Sequence, residues 1–335
     1  MKLLFLFTGG TIGSTAKGDL IATDARKPYL LLNAYDRRYG LTVEYETAEP
    51  YTALSENNTG ETLRLLMASV GEHLAMGYDG IVITHGTDTL QYSAAALSYA
   101  FSDTKIPICL VSSNAPIEDP KANGLDNLHG AIRFITEVGT PGVWVPYRNR
   151  GEELRIHRGT RLLESVAFSD RVASIHDSFF GVFRDGAPFE RNAAYREMPD
   201  AISPMGAVAL PAYCREILIL EPYPGKCYPP ISEALRYIIH TSYHSGTINT
   251  ASDTTKAFFE TAKERGVIPF LTGVTSGAAY ESTTLFESLG LYPLYNIAPI
   301  AVFVKLWMWN TLHPDIPANE MILSSLGGDI VPDQP

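Results

Sequence analysis

Apolar and polar positions along this chain fall into blocks whose period switches between strand and helix. Leu3-Leu4-Phe5-Leu6-Phe7 is a continuous apolar run that stops at Thr8-Gly9-Gly10, the pattern of a strand buried on both faces. Leu63, Leu66, Met67, Val70 and Leu74 recur at helical spacing. A buried strand follows at 81–84, a helix at 90–101, a strand at 106–112, a helix from about 125 to 138, and a short strand at Val143-Trp144-Val145. Residues 147–165 interrupt this order; rich in Arg and Glu, with glycines, they read as an exposed hairpin or loop. From 188 to 211 the chain is irregular, with Pro199, Pro204 and Pro211. The alternation then resumes, with a strand at 216–221, a short helix at 231–236 and a strand at 237–241. A helix follows at 252–265, with Ser252 or Asp253 as caps, and a strand at 267–271. A last helix at 300–312 is apolar nearly all round (Val302, Phe303, Leu306, Trp307, Trp309), so it is buried or sits at a subunit interface.

This βαβ alternation predicts an α/β protein of two α/β domains. The larger, residues 1–190, is expected to hold a mostly parallel sheet with helices on both faces. Residues 191–212 form the linker, and 213–335 a smaller parallel α/β domain.

Composition narrows the function. The 335 residues are 45% hydrophobic and 19% charged, with a net charge of −11; a chain this acidic lacks the basic surface that nucleic acid requires. No stretch approaches the roughly 20 apolar residues that span a bilayer. The N-terminal apolar run is shorter than the about 7–15 residues of a signal-peptide core and is read as a first strand. Cys109, Cys214 and Cys227 form no metal-binding pattern, and His157, His176, His240 and His244 lack metal-ligand spacing. The chemistry expected is metal-free and cytoplasmic.

Two hydroxyl-rich turns each follow an apolar strand: Thr8-Gly9-Gly10-Thr11-Ile12-Gly13, and Thr84-His85-Gly86-Thr87-Asp88-Thr89. In a parallel sheet both emerge at carboxyl ends of strands, where open α/β sheets bind ligands. A threonine hydroxyl becomes a nucleophile once its neighbours activate it. Plainer readings remain open. Gly9-Gly10 also suits a tight turn, Thr87-Asp88-Thr89 a helix N-cap, and Ser55-Glu56-Asn57-Asn58-Thr59 a polar loop capping the Leu63 helix. His85 suits either a triad with Asp88 or packing at a strand end.

Taken together, Thr8–Gly13, Ser55–Thr59 and His85–Thr89, in that order and spacing, resemble the motifs of the bacterial-type L-asparaginase/glutaminase family. Asn127-Leu128, Arg158-Gly159 and Tyr223-Pro224-Gly225 extend the resemblance. It implies an amidohydrolase that releases ammonia from a small amino-acid amide. Thr11 would attack the amide carbon, and Thr87 would help activate a nucleophile or water. Asp88 would hold the α-ammonium and Ser55 the α-carboxylate. Gly10 and Glu56 would contact substrate, and Gly86 with Thr87 would offer backbone donors to the oxyanion. Glu56 is associated with tolerance of glutamine beside asparagine. The resemblance further implies a homodimer or homotetramer and no metal or organic cofactor.

The chain departs from the family at four positions. Glu164 takes the place of a lysine, Leu20 that of a flexible tyrosine, and Thr247 and Ile300 those of an Asn and a Glu supplied by a neighbouring subunit. An anion beside Thr87 raises rather than lowers the hydroxyl's pKa. Glu164 is therefore a solvated loop charge or a general base, with Arg158 or Arg161 able to supply positive charge. Two alternatives to the asparaginase reading follow: a related hydrolase of a modified amide or lactam, and a non-catalytic amino-acid-binding homologue.

Overall fold

The computed structural model describes residues 1–9, 14–17, 20–23, 27–274, 276–277 and 280–333; for 14–17, 20–23 and 27–29 it describes the backbone alone. Strand β1 (Lys2–Phe7) is followed by the hairpin β2 (Ser14–Lys17) and β3 (Leu20–Thr23), helix α1 (Lys27–Tyr39) and strand β4 (Glu44–Ala48). β4 pairs parallel with β1 on one side. Helix α2 (Gly60–Leu74) then carries the chain to β5 (Gly80–Thr84), parallel to β1 on its other side. Helix α3 (Leu90–Ala100), β6 (Pro107–Val111), α4 (Gly124–Arg133) and β7 (Gly142–Arg148) extend the parallel part. β8 (Leu154–Arg158), β9 (Gly181–Phe183) and β10 (Glu190–Arg191) finish it antiparallel. The sheet order is β10-β9-β8-β7-β6-β5-β1-β4. Succession leaves β1 first toward one side and then toward the other, so the strand order reverses between β1 and β5.

Alternation along β1 separates two hydrophobic layers. Leu3, Phe5 and Phe7 pack with Leu31, Leu32 and Tyr35 of α1 and Leu128 and Ala131 of α4. Leu4 and Leu6 face Leu63, Leu66, Met67 and Val70 of α2 and Leu90, Ala94 and Leu97 of α3. β1 is thus apolar from Leu3 to Phe7 because both of its faces are covered.

The second sheet is wholly parallel, in the order β11 (Ile217–Leu220), β12 (Tyr237–Thr241), β13 (Ile268–Val274), β14 (Tyr292–Tyr295). Helix α5 (Asp253–Glu264) covers one face. Helix α6 (Pro299–Leu312) covers the other, and its residues share one core with α3, Tyr237, Ile239 and Phe270. The helix expected to be buried or at a subunit interface is therefore buried within the chain. The small residues Ser93-Ala94-Ala95-Ala96 on α3 let the two helices approach closely.

At the centre of this contact Lys305 and Asp329 are both fully buried, 2.7 Å apart. Tyr99 donates to Asp329 (3.1 Å), and Lys305 also donates to the Ser324 carbonyl (2.5 Å). The ammonium and the carboxylate thus each have further partners, which a buried pair requires.

Two local expectations are corrected. Residues 147–165 do form a hairpin, but Leu154, Ile156, His157, Arg158 and Arg161 of its second arm are buried, and only the turn and residues 163–165 are exposed. The Arg158 and Arg161 Nε atoms donate to the Gly327 (3.1 Å) and Gly328 (2.7 Å) carbonyls, and Arg158 pairs with Glu197 (2.9 Å). Partners so distant along the chain leave no mark on the local pattern. Residues 231–236 form a turn at Glu233-Ala234, not a helix; six residues after Pro229-Pro230 are too few to repay helix nucleation.

Asp329→Ala strands the Lys305 ammonium in the core and should cost about 3–5 kcal/mol in urea unfolding, whereas the double exchange Lys305→Met with Asp329→Leu should lose far less. A second expectation concerns acid. Burial lowers the pKa values of His85 and His240 from 6.5 to about 4 and that of His157 to about 3. The unfolded chain binds these protons first, so stability is complete above about pH 6.5 and falls as pH drops from there toward 4. Thermal unfolding midpoints that stay level across that window would contradict this account.

Candidate active site

The site is assembled where β1 and β5 end side by side. Phe7 and Thr84 are their last paired residues. The buried Thr8 hydroxyl then donates to the Thr84 carbonyl at 2.6 Å. On the other side Ala53 N–H donates to the Thr8 carbonyl (3.1 Å). Gly9 adopts φ +89°, and a Cβ there would lie 2.5 Å from the Ala53 carbonyl oxygen, so the chain needs glycine at this junction. The end of β1 is thereby pinned between β5 and the segment that carries Ser55.

Beyond β5, His85 N–H donates to the Val111 carbonyl (2.8 Å). Its ring is fully buried, with Nδ1 2.7 Å from the Gly86 carbonyl and Nε2 2.8 Å from Ser93 Oγ. A carbonyl can only accept, so Nδ1 carries the proton and Nε2 accepts from Ser93. Both ring nitrogens are occupied and the ring is neutral, which places His85 at the strand end as a positioning group and removes the triad with Asp88.

Gly86 is buried, Thr87 half-buried and Asp88 exposed. Ser55 Oγ donates to the Asp88 carboxylate at 2.9 Å. Thr89 Oγ1 donates to the Ser55 carbonyl (3.0 Å) and accepts from Asn58 Nδ2 (2.9 Å). The 55–59 turn and the 84–89 turn are therefore stitched together across 31 to 34 residues. The helix-cap reading separates along the same line. Thr89, at the N-cap of α3, makes no side-chain cap bond, whereas Thr59 caps α2 in a reciprocal capping box with Thr62. One turn thus serves as both helix cap and partner of Asp88. Glu56 is exposed beside it.

Gly10 and Thr11 lie outside the described residues, as does the side chain of Leu20. Thr247 sits in the turn after β12, its hydroxyl 3.0 Å from Ser245 Oγ. Ile300 is only 6% exposed, in the α3–α6 core. Arg158 and Arg161 are committed to Glu197 and the 327–328 carbonyls.

Next to Asp88 and Thr89 opens a cavity of about 590 Å³, walled by Ser93 and Tyr92 of α3 and by Phe303 and Trp307 of α6. Glu164 lines it as well and forms no ion pair with any described residue. Burial, and then the charge of Glu221, raise the Glu164 carboxyl above the usual glutamate range. Among the described residues no group of three or more His, Cys, Asp or Glu side chains could hold a metal ion. Asn58 and Thr89 lie inside motifs read from sequence, yet their bonds were not foreseen. Phe303 and Trp307 carried only the signal of an all-apolar helix.

Comparison with known proteins places the fold and the family. A family model described as "Asparaginase, N-terminal" matches residues 2–177, more than half of the chain. The L-asparaginase of Thermococcus kodakarensis is 36% identical over 188 residues, 55% of this chain and 51% of that protein. A glutamyl-tRNA(Gln) amidotransferase subunit of Pyrobaculum aerophilum is 28% identical over 239 residues, 70% of this chain and 55% of that protein. These matches span about half the length of the curated relatives. Among solved structures, the thermostable L-asparaginase from Thermococcus kodakarensis superposes with a TM-score of 0.76 at 25% identity, covering 99% of this chain and 100% of that one. L-asparaginase I from Vibrio cholerae shares the fold, with a TM-score of 0.76 at 23% identity over 98% of this chain and 99% of that one. The chain belongs to the asparaginase family, as its three motifs implied.

Proposed function

We propose that the protein is an asparaginase-type amidohydrolase that releases ammonia from the side-chain amide of L-asparagine, with L-glutamine as a second substrate. The observation that carries this reading is the Ser55–Asp88 hydrogen bond, made at the carboxyl edge where the strand order reverses. Thr11, three residues after Thr8 in the sequence, is the nucleophile that the motif resemblance implies. Its hydroxyl oxygen attacks the carboxamide carbon. The C–N bond breaks, ammonia leaves with the hydroxyl proton, and water cleaves the resulting ester. Asp88 holds the α-ammonium, and Ser55 turns its single hydroxyl hydrogen from Asp88 to the substrate's α-carboxylate once the ammonium has taken its place. Thr87 helps activate the nucleophile or water. The N–H groups of Gly86 and Thr87 stabilise the oxyanion, in most acyl transfers the largest single contribution.

A second reading rests on Glu164. A carboxylate at the cavity, without a cation beside it, supports either a hydrolase of a modified amide or lactam, or a homologue that binds amino acids without turnover. The relatives named as amidotransferase subunits suggest a third role, but the net charge of −11 favours a small-molecule substrate over tRNA. A homodimer or homotetramer is part of the proposal.

Ammonia release from L-asparagine by the wild-type protein and none above background by Thr11→Ala is the expected result. Asp88→Asn should lower kcat/KM about 10- to 100-fold, the loss of one charge-assisted hydrogen bond. Calorimetric binding of L-aspartate without turnover of any amide or lactam would instead support the binding homologue.

A further inference from the structure

The cavity beside Asp88 is larger than a free amino acid requires. At about 590 Å³ it falls within the roughly 300–1,000 Å³ of pockets that enclose drug-sized ligands. Its lining is unbalanced in charge: Asp88 and Glu164 both contribute, and among the described residues no Lys, Arg or His lines it. Asp88 receives the Ser55 hydroxyl, while Glu164, which is exposed to solvent, takes no hydrogen bond or ion pair from any described residue. The same wall carries aromatic rings. Tyr92 meets Phe303 edge-on, with ring centres 6.0 Å apart, and Phe303 lies 5.5 Å from Trp307. Trp307 is wedged against Gly60, where a Cβ would come within 2.7 Å of its ring, and its Nε1–H has no partner among the described residues. Tyr213 stands at the cavity as well, largely exposed.

Aromatic faces next to an uncompensated carboxylate attract an organic ammonium, by cation–π attraction and by direct pairing. One carboxylate suffices for one α-ammonium, so the second calls for a second positive charge. We infer that the cavity accepts a side-chain amide whose nitrogen carries a short aminoalkyl chain. Its distal ammonium pairs with Glu164 among Tyr92, Phe303 and Trp307 while Asp88 holds the α-ammonium. The inference rests on the amidohydrolase reading and names its substrate class. The reaction balances as an ordinary hydrolysis: the amide C–N bond breaks, water supplies oxygen to the acyl carbon, and the diamine leaves with the proton.

The test compares N-(3-aminopropyl)-asparagine with N-propyl-asparagine and L-asparagine, following amine or ammonia release by the wild-type protein, Glu164→Gln and Glu164→Lys. The charged amide should exceed the neutral one in kcat/KM by about tenfold in the wild type. That ratio should fall to near one in Glu164→Gln and invert in Glu164→Lys. Because the ratio is taken within each variant, general damage to turnover cancels. Calorimetry with 1,3-diaminopropane against propylamine gives a readout independent of turnover, with the diamine favoured only while Glu164 is present. Turnover of L-asparagine with a ratio near one in the wild type, or with a ratio unchanged in Glu164→Gln, overturns this inference and leaves the amidohydrolase reading standing. Absence of turnover for all three amides overturns the amidohydrolase reading, and a Glu164-dependent preference for the diamine would then still support the cation pocket.

Discussion

The molecule depends on one constraint: β1 and β5 are neighbours in a parallel sheet, and the chain leaves them in opposite directions. Parallel pairing forces their carboxyl ends to the same edge. The reversal draws the crossover helices α1 and α2 to opposite faces, so no helix closes the space between the two exits. Thr8 and Thr84 tie the exits at backbone level, and the Gly9–Ala53 junction adds a third segment. Ser55 and Asp88 meet through this topology, although they come from turns far apart in sequence.

Legibility in the sequence followed the range of each interaction. β1, β5 and β6 were visible because complete burial leaves an uninterrupted apolar run, and α2 because its stripe repeats at 3.6 residues. β4 has no such mark. Glu44-Tyr45-Glu46-Thr47-Ala48 is a largely exposed edge strand that exists through its pairing with β1. The buried hairpin arm at 154–158 was hidden for the opposite reason: its arginines look solvated until the Gly327 and Gly328 carbonyls are brought against them. The motifs announced Ser55 and Asp88 as site residues but not that they touch. The aromatic wall was unreadable, because Phe303 and Trp307 show the same pattern whether they face a core or a cavity.

Polar burial also divides the labour among the site's neighbours. His85 looks reactive in sequence, yet burial and two hydrogen bonds hold it neutral, so it shapes the turn that presents Thr87 and Asp88. Glu164 is exposed, as a loop charge should be, and also lines the cavity next to that turn. Chemical appearance was a poorer guide to role than access to solvent and the presence of a partner.

The contact between α3 and α6 has a bearing on how the protein comes into being. Tyr99 reaches the Ala301 carbonyl across 202 positions and Asp329 across 230. On a translating ribosome the first sheet emerges with the outer side of α3 uncovered, and it stays so until α6 and the Asp329 segment have been made. The nascent chain therefore carries a long-lived apolar helix face, the kind of surface that chaperones hold, and the cavity beside Asp88 acquires its far wall only near the end of synthesis.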